Sequence, residues 1–377
     1  MLKLNTSYIE SLRLIKRNHR GWTTDRQLLV IESDDWGSIR TSSREAYDTL
    51  LEKGYPVDQC AFNRYDRLES DEDVLSLKQI LENIIDYKGK PACMTLNYIM
   101  ANPDFDAITR ANFDTYIYET VAQTYAQTNE SRNVLEEVRS GIKKGVFKPQ
   151  FHGREHVNVH NWMNALKNSN PQALDAFKVK MFTSSNGNKS DCRMEFLDAF
   201  GSLSKKEYNE LQSSIKEGMI LFENTFGFKS ESVIAPCYIW DDQVEKIWDN
   251  VGLKFIQSGI SQMVPNHEIL KYTIKKHFVG QKNKLGQVYL MRNVVFEPAT
   301  DPRIDWVSKC FKEIQWAFRL KKPAIISTHR LNYMGGLSIE NRENGLLLLK
   351  QLLESVILKY PEVEFMSSDT LGKIILN

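Results

Sequence analysis

Along the chain one pattern recurs: a short apolar run that stops at polar or charged residues, then a longer stretch with apolar residues three and four apart. The first run, 27–33 (QLLVIES), leads straight into Asp34-Asp35-Trp36-Gly37. Others fall at 92–97 (ACMTLN, introduced by Pro91), 147–152 (FKPQFH), 232–238, 255–258, 288–296 and 324–328, with 362–366 as a last candidate. Short continuous apolar runs read as strands buried on both faces, and three-and-four spacing reads as helix. The helical pattern is clearest at 74–85, 134–142, 206–226, 242–251, 306–318 and 339–358. Ser204 with Glu207 three residues on is an entry signal for the third of these.

Strands alternating with helices predict an α/β protein with a parallel sheet and helical crossovers. About seven such units in one chain favour a closed, distorted (β/α) barrel over an open sheet. We expect one domain over 1–377. The segments at about 100–145 and 157–230 exceed what a crossover needs, and predict helical insertions capping one end of the barrel. The stretch 183–193 (TSSNGNKSDCR) reads as a surface loop.

Composition narrows the function classes. Hydrophobic residues make up 42% of 377, enough for a sizeable core. Lys plus Arg number 49 and Asp plus Glu 48, for a net charge of +1, so no nucleic-acid or membrane-surface partner is expected. No signal-peptide pattern or spanning segment is seen, which makes a cytoplasmic location the expectation. The five cysteines (60, 93, 192, 237 and 310) are scattered and include no CxxC, which argues against a disulfide framework or a cysteine-rich zinc site. Oligomeric state is open. No GxGxxG or GxxxxGK[ST] follows the first strand, and no GxSxG occurs.

Active-site groups of such barrels sit at the C-terminal ends of strands. Those positions hold Asp34 and Asp35, His152 and His156, Pro236 and Tyr238, Glu297, Asp301 and Asp305, and His329. In HGREH, two histidines four apart on a helical turn face one way and can share an ion. Two histidines and one carboxylate leave an open position, as in catalytic zinc sites. The protease order H-E-x-x-H is not matched, because Glu155 has the wrong offset. In an extended chain Asp34 and Asp35 point apart, so one can ligate while the other serves as base; the alternative reading is a helix cap and a turn residue before Gly37.

These motifs resemble those of the polysaccharide deacetylases, the NodB-homology or family-four carbohydrate esterases. Residues 31–37 (IESDDWG) look like the family's T-F-D-D-G, and HGREH like H-[ST]-x-x-H. The run 235–238 (APCY) is similar to a degraded R-x-P-[FY], 301–306 (DPRIDW) to D-x-x-D-W, and 326–329 (ISTH) to L-x-x-H, in the family's order. The resemblance implies a metal-dependent hydrolase that removes N- or O-acetyl groups from a sugar or polysaccharide precursor. It implies Asp35, His152 and His156 as ligands of one divalent ion, most simply zinc. It further implies Asp34 as general base, His329 as general acid, Asp301 or Asp305 orienting His329, and a backbone N–H near Cys237 or Tyr238 holding the oxyanion. The family's third motif carries an arginine that pairs with the base; here none is present, and Arg292 ranks ahead of Arg330 and Arg154 as its replacement. Trp36 could stack on a sugar face, with core packing as the other reading; Trp162 and Trp240 share that ambiguity. His160 is expected at the surface or in support of the ligands. The alternatives carried forward are a glycosidase using a carboxylate such as Glu297, and a catalytically silent carbohydrate-binding protein.

Overall fold

A computed structural model describes residues 6–184, 196–201, 205–266 and 271–377 of the chain. The surface loop expected at 183–193 and the Ser204 entry signal fall almost wholly outside these residues.

Among the described residues the main sheet has nine strands, β1 (Leu28–Trp36), β2 (Met94–Ile99), β3 (Phe147–Gly153), β4 (Ser232–Ile234), β5 (Phe255–Ser258), β6 (Val288–Met291), β7 (Val294–Val295), β8 (Ala324–His329) and β9 (Glu364–Met366). All their pairings are parallel, in the order β6-β5-β4-β3-β2-β1-β8-β7, and β9 pairs with the first three residues of β1. Only Arg292 and Asn293 separate β6 from β7. One stretch of chain therefore pairs first with β5 and then with β8, and the sheet curls back on itself as a (β/α) barrel with seven main strand positions. The run expected at 288–296 is this bridging position.

Every residue of β1 and β2 is buried, which is why both read as apolar runs without alternation. The crossover helices form the outer layer. The helix Asp71–Glu82 shows how one is specified: Ser70 and Asp73 form a reciprocal capping box, and Val74, Leu77 and Leu81 turn inward. Each such buried Leu or Val contributes on the order of 1.5–3 kcal/mol relative to exposure. The helix Ile339–Lys359 is capped by Ser338 accepting from the Asn341 N–H, and buries Leu346, Leu349, Leu352, Leu353 and Val356.

The fourth strand is shorter than its apolar run. It stops at Ile234 because Pro236 has no N–H to donate, and Cys237 and Tyr238 take φ of 57° and 56° in a tight turn. Elements without a clear pattern are the helices Thr6–Asn18, Arg44–Glu52 and Ala61–Tyr65, and the hairpin of Ser261–Asn266 with Lys271–Lys276. In the long segments, Phe105, Trp162, Phe177, Phe182 and Leu197 make a separate apolar cluster that reaches Cys237 beyond the end of β4. No helix among the described residues is long and apolar enough to cross a membrane.

Candidate metal centre

The centre lies where β1, β3, β4 and β8 end. Along β1, Glu32 and Asp34 share one face by the two-residue period. Asp35 should then point away, but its φ of 76° turns the backbone into the left-handed region, and both aspartates line one cavity. That turn is held from outside. The Gly37 N–H donates to Glu69 Oε1 at 2.8 Å, and a Cβ on Gly37 (φ 82°) would lie 2.6 Å from the Ile99 carbonyl oxygen. Glycine is required there both for its φ and for the close approach.

His152 is the last residue but one of β3, and His156 lies in the loop beyond the strand, not on a helical turn. The rings still converge, 5.3 Å apart at 82°, because Gly153 (φ 139°) redirects the chain between them. His152 Nδ1 is 2.9 Å from the Ile234 carbonyl. Since a carbonyl only accepts, that nitrogen carries the proton, and in the neutral ring Nε2 presents a lone pair. This lone pair faces Asp35 Oδ1 at 3.2 Å, and His156 Nε2 faces the same oxygen at 3.1 Å. Acceptor facing acceptor requires a cation between them, either a proton or a metal. Ligands at about 2.0–2.2 Å on a tetrahedral ion stand ~3.3–3.6 Å apart; the donor types fit a divalent ion, and the 3.1 and 3.2 Å spacings need open only slightly to admit one.

Asp34 sits in a second charge system that continues into the barrel. Arg292 donates from Nη1 to Asp34 Oδ2 and from Nη2 to Asp34 Oδ1, both at 2.6 Å, and from Nε to Glu32 at 2.6 Å. Asn97 Nδ2 donates to Asp34 Oδ1 at 2.7 Å, and Gln257 links Asn97 to Ser232. Burial works against the Asp34 charge, yet Arg292 holds its carboxyl below the usual range. Glu32, with a single bond from Arg292, is pushed above the usual range by its burial. Arg292 thus pairs with Asp34 through both oxygens of the carboxylate.

His329 completes the wall. Its Nε2 is 3.7 Å from Asp34 Oδ2. Its Nδ1 lies 2.6 Å from Glu297 Oε1, and Asn332 donates to the other Glu297 oxygen at 2.7 Å. Burial opposes a charge on the ring, but Glu297, then Asp35 and Asp34, push its pKa up to about 10. The cavity, of about 130 Å³, is lined by these groups with Arg40, Phe62, Leu197, Ala235, Cys237 and Tyr238.

Other expectations need correction. Asp301 does not reach His329; both its oxygens accept from Arg303 at the surface. Asp305 caps the helix Trp306–Arg319 through the Ser308 N–H. Glu297 takes the place expected for them, and stands behind His329 where a glycosidase carboxylate would have to face the cavity. Trp36 cannot stack on a ligand: it is fully buried, bonded to Ser33 and packed near Tyr98. Trp162 and Trp240 are likewise core residues. Tyr238 does line the cavity, and its hydroxyl accepts from Arg292 at 3.1 Å, but its N–H is bonded to the Ala235 carbonyl, which leaves the Cys237 N–H as the oxyanion candidate. Arg154 pairs with Glu155 and Glu217, and Arg330 with Asp66 and Glu69. His160 lies near Glu207 and Glu210, outside the cavity.

Sequence reasoning missed Glu297 as the partner of His329, and with it Glu32, Asn97 and Gln257. The signal was present: polar residues at alternate positions inside otherwise apolar strands mark an inward polar row.

No protein-family model matches the sequence, and no curated protein matches it. Among solved structures the chain is similar to a provisionally assigned glycoside hydrolase/deacetylase from Parabacteroides distasonis, with TM-score 0.51 and 9% identity over 94% of this chain and 72% of that one. It is also similar to a GH57-type branching enzyme from Pyrococcus horikoshii, with TM-score 0.48 and 9% identity over 93% and 70%. A third is a provisionally assigned polysaccharide deacetylase from Mycobacterium smegmatis, with TM-score 0.44 and 10% identity over 95% and 93%. At 9% identity the first likeness establishes the fold, and the fold alone: the chain shares the (β/α) barrel of that structure.

Proposed function

We propose that the protein is a metal-dependent hydrolase that releases acyl groups, in the first instance N- or O-acetyl, from a carbohydrate. The observation that carries this reading is the convergence of Asp35 Oδ1 with two imidazole Nε2 atoms at 3.1 and 3.2 Å, in one cavity with an Arg292-held carboxylate and a Glu297-backed histidine. Asp35, His152 and His156 would hold the ion. When bound it would polarise the acyl carbonyl and ease ionisation of water.

The chain's own groups then divide the proton work. Asp34 Oδ2 takes the proton of the attacking water as the water oxygen adds to the acyl carbon. Arg292 keeps Asp34 ionised for that task. His329 holds a proton on Nε2, 3.7 Å from Asp34, and delivers it to the leaving nitrogen or oxygen as the C–N or C–O bond breaks. Glu297 keeps that proton in place at neutral pH. A positioned base and acid contribute roughly 10²–10⁴ in rate each. Phe62 and Leu197 give the cavity apolar walls that exclude bulk water.

The test is acetate release from a panel of N- and O-acetylated saccharides by the zinc-loaded protein, with Asp34→Asn and His329→Ala as controls. Acetate release lost in both variants, with zinc content retained, is the expected result. Reducing ends without acetate would turn the assignment to a glycosidase. Full zinc content without any product would turn it to a silent binding protein.

A further inference from the structure

Arg40 is 6% exposed and lines the cavity with the three donor residues, yet among the described residues it has no carboxylate within ion-pair distance. Its Nε donates to Asn63 Oδ1 at 2.9 Å. Its Nη2 is buried without an acceptor, as is the Nδ2 of Asn63. An amide flip of Asn63 cannot repair this, because it would set Nδ2 against the Arg40 Nε–H. The nearest aromatic, Phe62, has its ring 6.0 Å from the guanidinium carbon and also lines the cavity. The two other fully buried arginines of this region are saturated, Arg292 by Asp34 and Glu32, Arg330 by Asp66 and Glu69.

Asp66 acts on Arg40 through space, but its carboxylate is paired with Arg330, so Arg40 has no carboxylate of its own; a buried guanidinium left unpaired is costly and is stabilised when an anion is supplied. A guanidinium N–H forms a charge-assisted bond to a carboxylate or phosphate oxygen. We infer that Arg40 is an oxyanion subsite of this cavity, so that the substrate carries a carboxylate or phosphate beside the acyl group to be removed. This rests on reading the cavity as the substrate site. It narrows the substrate from neutral acetylated sugars to acidic ones, such as uronates, carboxyalkyl ethers or sugar phosphates.

Calorimetric titration of the full-length protein with acetate and with inorganic phosphate tests this without turnover, in zinc-loaded and chelator-stripped, dialysed samples. Charge-assisted bonds of this kind account for about 10- to 100-fold in affinity. Arg40→Met should lose that factor for at least one anion in both metal states, and Arg40→Lys should recover part of it. The anion that shows the larger loss identifies the substrate's acidic group. The melting temperature of Arg40→Met should stay close to that of the parent, since the relief of an unpaired buried charge offsets the lost bond to Asn63. Equal anion affinity in the parent and Arg40→Met, or a clear drop in melting temperature with affinity unchanged, overturns the subsite and makes Arg40 structural. These outcomes are independent of acetate release. A protein that binds anions through Arg40 but hydrolyses nothing refutes the hydrolase and keeps the subsite, and the reverse result does the opposite.

Discussion

Replacing Arg292 with methionine removes a guanidinium that is almost wholly enclosed, with side-chain exposure of 1% against 0% and 5% for Glu32 and Asp34. Methionine roughly fills the volume, so the loss is chiefly electrostatic. Three charge-assisted bonds of 2.6 Å disappear, and two carboxylates remain in the barrel interior. Among the described residues Glu32 keeps the Ser368 hydroxyl as its donor, and Asp34 keeps Asn97. Breaking a buried pair of this kind costs roughly 3–5 kcal/mol. In the parent, Asp34 lies below its ordinary pKa, so its contribution to stability is present above that value and is lost as pH falls through the depressed one. In Arg292→Met, burial without compensation puts Asp34 above its ordinary value, so its contribution is present at low pH and lost as pH rises. Glu32, already raised, moves further in the same direction. The two trends add, and the stability gap between parent and variant should widen from pH 5 to pH 8. Urea unfolding at both pH values measures it. A gap near 4 kcal/mol at pH 8 that shrinks by about 1 kcal/mol or more at pH 5 is expected, with Arg292→Lys in between. A gap below about 1 kcal/mol, or one equal at both pH values, would refute the ion-pair account of Asp34.

Two further predictions concern titrating groups. Glu297→Gln keeps an oxygen for His329 Nδ1 but removes the charge that does most to hold the ring's pKa up at about 10; the alkaline limb of kcat should move down by roughly 1–3 pH units, and an unmoved limb would exclude His329 as the proton donor. Asp198, buried beside Tyr272 and Asn158, is raised by burial to about 6. Its stabilising contribution is therefore full below pH 3.8 and lost as pH rises through 6, so Asp198→Asn should gain on the parent by up to about 3 kcal/mol between pH 4 and pH 7 in thermal unfolding; a pH-independent difference would contradict this.

The barrel was legible because strands buried on both faces leave apolar runs, and because the runs of β1, β3, β4 and β8 end at residues that line the cavity. The succession of strands along the chain followed from that rhythm, except that the single run read at 288–296 is two strands, β6 and β7. Asp34, Asp35, His152, His156 and His329 stood out by type and place at strand ends. What was not legible depends on contacts distant in sequence. Asp301 and Asp305 had the right types near the right strand, but side-chain reach decided for Glu297, five residues beyond Arg292. Trp36 looked available beside two aspartates, and only the barrel wall shows it enclosed. The helices carrying Arg44–Glu52 and Ala61–Tyr65 were hidden because short segments bury few residues and leave little periodicity. Arg40 carried no local signal, since its lack of a partner is a property of the packed state.

The central claim is that β1 and β3 together hold one divalent cation. The direct measurement is anomalous scattering at the zinc absorption edge from a crystal of the zinc-loaded protein. One peak within about 2.0–2.2 Å of Asp35 Oδ1 and the Nε2 atoms of His152 and His156, absent from His152→Ala, is what the account predicts. A peak elsewhere, no peak, or an undiminished peak in His152→Ala would contradict it.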